Sequence, residues 1–289
     1  MKKICLFIAI LIHSSNLFAW NANGHKLIAA IAYSQLNDLQ KNEVTEILKF
    51  HPEYEKNWAK KYSKVSDVMD LGEFLMMRSS VWPDEIRGSS NTNFKYHKSE
   101  WHFITYRIEF PNLHDTTLTD SEIEFSVVGA SAFSKTMFAN KLIDNSLRAI
   151  YLSWFIHLIG DIHQPLHCGT LFNSNYPKGD RGGNKFFVKP NSAGVKLHTL
   201  WDGALGNSSN DGEVHNQSLR IKNVFLFSEN LLDIDNYQPK KWSIKSFQHT
   251  LNEVHIAGKL EGSTSKENAP LLPVDYTKNM KELAEKEVR

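Results

Sequence analysis

The stretch SLRAIYLSWFIHLIGDI, residues 146–162, is apolar on almost every side of a helix. Such a helix is predicted to lie at the centre of a core rather than on its surface. Asn145 is suited to cap its start and Pro165 to end it. Two of its residues do not belong in an apolar wall. His157 and Asp161 stand four apart and therefore share a face. An ionised carboxylate there is expensive unless it is paired or bound to a cation. Two readings fit: a His–Asp hydrogen bond in a core, or a pair of metal ligands.

Moving outward, more residues of the same chemistry appear. His167 follows just past Pro165. The stretch Leu197-His198-Thr199-Leu200-Trp201-Asp202 repeats the pattern, with His198 and Asp202 four apart among apolar neighbours. Two such pairs and a nearby histidine are hard to explain as core accidents, and they weigh toward metal binding. Trp82-Pro83-Asp84 places a carboxylate after a proline, and Trp101-His102-Phe103 an imidazole between aromatics in an apparent strand. Trp20-Asn21-Ala22-Asn23-Gly24-His25 opens the first helical stretch. Each of these three, alone, is more often a packing or surface feature.

The rest of the chain is mostly helical in pattern. Gly24–Leu36, Leu39–Phe50 after an Asn37-Asp38 stop and cap, Asp67–Arg78, Glu122–Leu142 and Thr277–Arg289 carry helical spacing. Short extended pieces are expected over His102–Ile108 and Lys185–Lys189. Tyr176–Asn184 and Gly203–Gln217 read as loops, and Gly262–Pro273 as a mobile one. No internal repeat and no linker divides the 289 residues, so one domain is expected over residues 20–289.

Residues 1–19 differ: Lys2 and Lys3 precede an apolar run, Ile4–Ile12, and Ala19 closes the segment. That is the pattern of a secretory signal peptide, too short for a membrane span, although Leu17 is not the small residue usual two places before cleavage. Without Lys2 and Lys3, 31 of the 33 Lys+Arg face 32 Asp+Glu, a formal net charge of about −1. Such a chain does not coat duplex DNA by charge alone. Cys5 leaves with the signal, so Cys168 would be the one cysteine left and no internal disulfide forms.

Taken together, these motifs resemble the nuclease S-one/P-one family. Its members are secreted, zinc-dependent single-strand nucleases of fungi, plants and bacteria, distantly related to bacterial zinc phospholipase C. The resemblance runs from Trp20 to about Gly203. It rests on Trp20 with His25, Trp82-Pro83-Asp84 with Arg87, Trp101-His102-Phe103, His157 to Asp161 with Gln164-Pro165-Leu166-His167, Gly182-Gly183-Asn184, and Leu197-His198 with Trp201-Asp202.

The resemblance implies an all-α domain with three zinc ions at the base of a cleft. Asp84, His102, His157 and Asp161 would hold one zinc. Trp20, through its free amine and carbonyl oxygen, would join His25 and Asp161 on a second, with Asp161 bridging. His167, His198 and Asp202 would hold the third. Imidazole and carboxylate are ordinary zinc ligands. The implied activity cleaves single-stranded DNA and RNA to 5′-phosphate products and removes 3′-phosphates from nucleotides. Asp84 and Asp161 would serve catalysis through the metals, and Arg87 would meet the phosphate with its planar fork. Phe103 would stack a base, and Asn184 would line the site. An exported monomer is implied, with no stable membrane association and no protein partner.

Departures and alternatives remain. Thr105 stands where fungal members place a base-reading aspartate, so base preference is open. His163 and Cys168 sit inside the motif but are not family ligands, and His51, His97, His114, His215, His249 and His255 carry no role. The family's last helix usually runs longer than Thr277–Arg289 does here. A zinc phospholipase C would share most ligands, but carries glutamate where this chain has Asp202. A non-catalytic zinc protein would not need nine ligands and Arg87.

The implied register makes a demand on Trp20. An α-amine has a pKa of about 7.7–8.0 and can release its proton to a metal. A peptide nitrogen cannot, because its lone pair is delocalised. A chain beginning at Trp20 is expected to bind more zinc and turn over faster than one with a single Met before it. Metal analysis and rate measurement under identical zinc loading check this; equal values would rule the amine out as a ligand.

Overall fold

The computed structural model describes residues 20–111, 113–225 and 237–288, and the expected signal, residues 1–19, lies outside them. Among the described residues eleven α-helices run in order: α1 (Ala22–Gln35), α2 (Asp38–Leu48), α3 (Ala59–Tyr62), α4 (Leu71–Glu85), α5 (Asp120–Glu124), α6 (Val127–Ala139), α7 (Asn145–Ile162), α8 (Leu197–Asp202), α9 (Asp211–Phe225), α10 (Pro239–His249) and α11 (Tyr276–Glu287). Five short strands accompany them: β1 (Tyr106–Glu109), β2 (Leu113–Asp115), β3 (Gly169–Leu171), β4 (Phe187–Val188) and β5 (Val195–Lys196). They form one three-stranded sheet, in the order β2-β1-β3, and one two-stranded sheet. The all-helical class is therefore correct, with the strands as trimmings.

Helix α7 packs against α1, α2, α4, α6 and α10, as its apolar circumference requires. Leu158 and Ile162 on it are fully buried, and so are Leu27 of α1 and Phe74, Leu75 and Met77 of α4. Its N-cap is Asp144 rather than Asn145, because the Asp144 carboxylate accepts from Ser146 N at 2.8 Å. The cap of α2 is Asn37, closed reciprocally with Gln40.

Helix α4 starts later and ends later than its pattern suggests. Asp70, not a residue near Asp67, accepts from Glu73 N and begins it. It then runs through Pro83 to Glu85. A proline in the last turn removes only the bond its N–H would make to Ser79 O. The stretch expected as one helix over Glu122–Leu142 breaks into α5 and α6 at Ser126, which caps α6. A side chain at Gly129 would meet the Glu124 carbonyl oxygen at 2.4 Å, so the corner depends on glycine there.

His102 is not in a strand: it ends a 3-10 turn, Ser99–His102. Pairing starts only at Tyr106, opposite Gly169, because the partner chain is still turning at His167. The expected loop over Gly203–Gln217 gives way to α9 at Asp211, whose first turn is met by the Asn210 side chain. The 262–273 segment is tied to β4 by Phe187–Ser263 and Lys189–Leu272 backbone bonds, a poor fit to a mobile loop.

At the other end, buried Glu287 of α11 pairs with Lys245 Nζ at 2.9 Å and His249 Nε2 at 3.3 Å, both on α10. Burial alone would raise the Glu287 carboxyl, but His249 and Lys245 outweigh it and hold it down at about 2. The same contact raises His249 above its ordinary 6.5. The depressed carboxyl contributes stability above its ordinary value of 4.5, lost as pH falls toward 2. The raised imidazole contributes most below 6.5 and loses its share as pH rises through its folded value. Glu287→Gln is therefore expected to cost about 1 kcal/mol between these limits, since Lys245 is solvent-screened. The loss should shrink at alkaline pH; chemical denaturation at several pH values measures it.

Candidate metal centre

Helical spacing turns His157 and Asp161 of α7 to one face, and both are completely buried. His157 Nδ1 donates to Ser80 O of α4 at 2.7 Å. That carbonyl lies beside the one left without a helical partner by Pro83. The bond fixes the ring's tautomer and leaves Nε2 with its lone pair facing inward. There, His157 Nε2 lies 3.2 Å from Asp161 Oδ2, 2.9 Å from His102 Nδ1 and 3.6 Å from Asp84 Oδ1. His102 Nδ1 is in turn 3.0 Å from Asp161 Oδ2 and 3.8 Å from Asp84 Oδ1. Thus α4, the 3-10 turn before β1 and α7 bring Asp84, His102, His157 and Asp161 together.

The other oxygen of Asp161 faces away from these. Oδ1 lies 3.3 Å from His25 Nε2 of α1. The His25 ring stacks on His157 with centroids 4.0 Å apart. Glycine makes this approach possible, since a Cβ at Gly160 would lie 2.8 Å from His25 Nδ1. Asp161 therefore presents one oxygen to each of two groups of donors. Trp20 is fully buried, and the next residue, Asn21, donates its N–H to Asp202 O at 3.0 Å. The start of the described chain is thereby held against α8.

His167, His198 and Asp202 form a third group. His198 Nδ1 donates to Gly182 O at 2.6 Å, and His167 Nδ1 to His102 O. Both rings keep Nε2 for the interior. Gln164 is buried and bonds Asp202 Oδ1 at 2.7 Å while its own oxygen accepts from Leu166 N. Gly182 has φ +57°, and a Cβ on it would sit 2.3 Å from Leu166 O, so only glycine closes this turn. Asp180, also buried, accepts from Leu171 N and Gly183 N and holds the loop in place.

Three groups of candidate ligands result: His25, His157 and Asp161; Asp84, His102 and His157; and His167, His198 and Asp202. Metal ions fit them on two grounds. His25 Nε2, His167 Nε2 and Asp161 Oδ1 are buried without a hydrogen-bond partner, which is costly unless something else satisfies them. Burial also pushes the Asp161 carboxyl up to about 7 and Asp202 well above the carboxylate range. It holds His102 and His167 well below the usual imidazole value, with the Arg87 charge adding to it at His102 and His198 at His167. Neutral imidazoles and carboxyls waiting for a counter-charge are the state from which a divalent cation displaces protons.

Arg87 forms an ion pair with Asp84 and approaches His102 Nδ1 at 3.3 Å, so it stands at the rim of the centre. Phe103, next to His102, is 39% exposed. Asn184 donates its amide to Arg181 O within its own loop. The same loop meets His198 through the Gly182 carbonyl. Gly160 and Gln164 stand inside the motifs but were assigned no role, and Ser80 and Asp180 were missed. An aspartate two residues before a Gly-Gly pair was a signal for Asp180; Ser80 gave none.

A helical scaffold that converges buried imidazoles and carboxylates in this way has the donor set of a metal-dependent protein. The chain belongs to the S1/P1 nuclease family, whose model matches residues 20–289. Among its relatives, Endonuclease 5 of Arabidopsis thaliana is 26% identical over 213 residues, covering 71% of this chain and 61% of that protein. Endonuclease 4 of the same plant is 31% identical over 143 residues, 44% of this chain and 42% of that protein. Endonuclease 2 is 25% identical over 241 residues, 81% and 71% of the two chains. The chain thus spans about three fifths of Endonuclease 5 and two fifths of Endonuclease 4.

The two-sided position of Asp161 sets an expectation. Asp161→Asn should lower bound metal more than Asp202→Asn does, because it weakens two groups of donors and not one. Metal analysis of the purified, zinc-loaded variants measures this. Equal losses would show that the Asp161 carboxylate serves a single ion.

Proposed function

We propose that the chain is an exported, zinc-dependent endonuclease that hydrolyses phosphodiester bonds of single-stranded DNA and RNA, leaving 5′-phosphates, and also releases 3′-phosphates from nucleotides. The observation that carries the reading is the meeting of three buried His/Asp groups around one face of α7, in a chain of the S1/P1 nuclease family. On this reading three zinc ions are held. Asp84, His102, His157 and Asp161 take one, and His167, His198 and Asp202 another. His25, Asp161 and the amine and carbonyl oxygen of Trp20 take the third, once residues 1–19 have been removed. When bound, zinc supplies Lewis acidity and makes a water-derived nucleophile available near neutral pH.

The chain's own residues do the rest. Arg87 offers a planar pair of donors to the phosphate oxygens beside Asp84 and His102. Phe103 offers an exposed ring next to His102 on which any base can stack. A stacked, paired base cannot reach such a ring without leaving its duplex, which favours single strands. The near-neutral net charge supplies no sequence-independent grip on duplex DNA to offset that cost. The carbonyls of Ser80, His102 and Gly182 hold the His157, His167 and His198 rings in the tautomer that presents Nε2. No helix among the described residues is long and apolar enough to cross a membrane.

Incubation with single-stranded DNA, single-stranded RNA, matched duplexes and phosphatidylcholine, with and without a chelator, tests the proposal. Chelator-sensitive cleavage of both single strands, at least tenfold faster than of duplex, is expected. Equal rates on single and double strands would contradict the stacking geometry. Hydrolysis of phosphatidylcholine alone would place the chain with the phospholipases.

A further inference from the structure

The cations of this chain are unevenly spread. Residues 56–66 and 86–99 hold Lys56, Lys60, Lys61, Lys64, Arg87, Lys95 and Lys98 and no Asp or Glu, in a chain whose formal charges nearly cancel. The six lysines are exposed. Lys56 Nζ is 3.6 Å from Glu53 Oε1, and the other five make no ion pair among the described residues. Of the nearby acids, Glu53 is buried and accepts from the amides of Asn57 and Asn93, and Glu85 pairs with Arg78.

The fold lays the two runs side by side. Lys56 Nζ reaches Thr92 Oγ1 at 3.3 Å, and Asn93 Nδ2 donates to Glu53 Oε1 at 2.8 Å. The 86–99 run touches the metal centre, since Arg87 pairs with Asp84 and the His97 ring lies 6.5 Å from that of His102. The 56–66 run leads away from it. Trp58 and Trp82 both pack on His51, whereas Tyr62 packs on Phe74, about two turns further back along α4. Lys56, Lys60 and Lys64 recur every four residues, so they share one side of this helical segment in steps of about 6 Å. A line of positive charge therefore starts at Arg87 and runs back beside α4. Between the runs opens a cavity of about 330 Å³, lined by Lys56, Asn57, Trp82, Ser90 and Thr92 among others. The Trp82 indole N–H is buried without a hydrogen-bond partner, a donor whose acceptor is not supplied by the protein.

We infer that this line is a track for the phosphate backbone of the substrate strand, holding phosphates beyond the one being cleaved. It rests on the proposed function and adds to it a grip that depends on strand length and not on base identity. Lysines placed along a surface neutralise phosphates and release their counterions whatever the sequence. A duplex lying on the same lysines would not bring a base to Phe103, so the preference for single strands is kept.

The zinc-loaded parent is compared with the triple variant Lys56→Gln, Lys60→Gln, Lys64→Gln. A control, Lys259→Gln, Lys278→Gln, Lys286→Gln, removes the same charge from exposed positions outside both runs. The substrates are a thymidine dinucleotide and a thymidine strand of about twenty nucleotides, over a range of salt. The track variant is expected to raise KM for the long strand about tenfold at low salt, with kcat and the dinucleotide KM within about twofold. Its plot of log KM against log salt should be shallower by about 2, because each single-strand phosphate contact contributes about 0.7. An unchanged slope, an equal effect in the control, or an equal rise in the dinucleotide KM would overturn the inference. So would binding to phosphatidylglycerol vesicles that the track variant loses while its KM for the long strand stays at the parent value, which would make the surface a membrane contact. Fluorescence anisotropy of the labelled strand separates this inference from the reading it rests on. Strand binding that only the track variant loses, in a parent that cleaves nothing, would keep the track and remove the proposed function.

Discussion

The carboxylate of Asp161 has no exposed surface and sits in the wall of the central helix α7 among buried apolar residues. It cannot remain ionised there without positive charge nearby. One oxygen faces His102 and His157, the other His25. Those three imidazoles are themselves buried and held below their ordinary pKa, so none supplies the missing charge. The arrangement is an electrostatic debt with the right donors for a divalent cation on both sides of one carboxylate. Helices α1, α4 and α7 must pack as they do for this convergence to exist, which makes the centre and the core a single construction.

Around that carboxylate, backbone irregularities do work that side chains alone could not. Three of the histidines donate Nδ1–H to a backbone carbonyl at or beside an irregularity: Ser80 next to the Ser79 carbonyl that Pro83 leaves free, His102 at the end of a 3-10 turn, and Gly182 in a left-handed turn. Each bond selects the tautomer that presents Nε2 to the interior. Glycines serve the same end by letting groups approach, as Gly160 does for His25 and Gly182 for the Leu166 carbonyl. The elements that carry the ligands are spread from α1 to α8, so the centre ties distant parts of the chain together.

Helix limits were the least legible part of the fold, for a definite reason. Asp67 and Asp70 both suit a cap, and only packing against α1 and α2 chooses Asp70. The corner between α5 and α6 has no proline to announce it and depends on the absence of a side chain at Gly129. In the Gly-Gly-Asn run, the Asn184 amide bonds Arg181 O inside the loop while the Gly182 carbonyl meets His198, a division of roles that no spacing announces.

By itself the sequence determined the helical class and the identity of the buried donors. Periodicity is a local property, and a His or Asp in an apolar run is conspicuous wherever the chain later goes. His157, Asp161, His167, His198 and Asp202 were all legible that way. Only the tertiary structure decided which donors share a site and which oxygen of Asp161 each group meets. It also decided which imidazole nitrogen faces inward, because that follows from carbonyls on other elements. These are distances of a few ångströms between residues as far apart as His25 and Asp161, and they are set by how helices pack rather than by any local pattern along the chain.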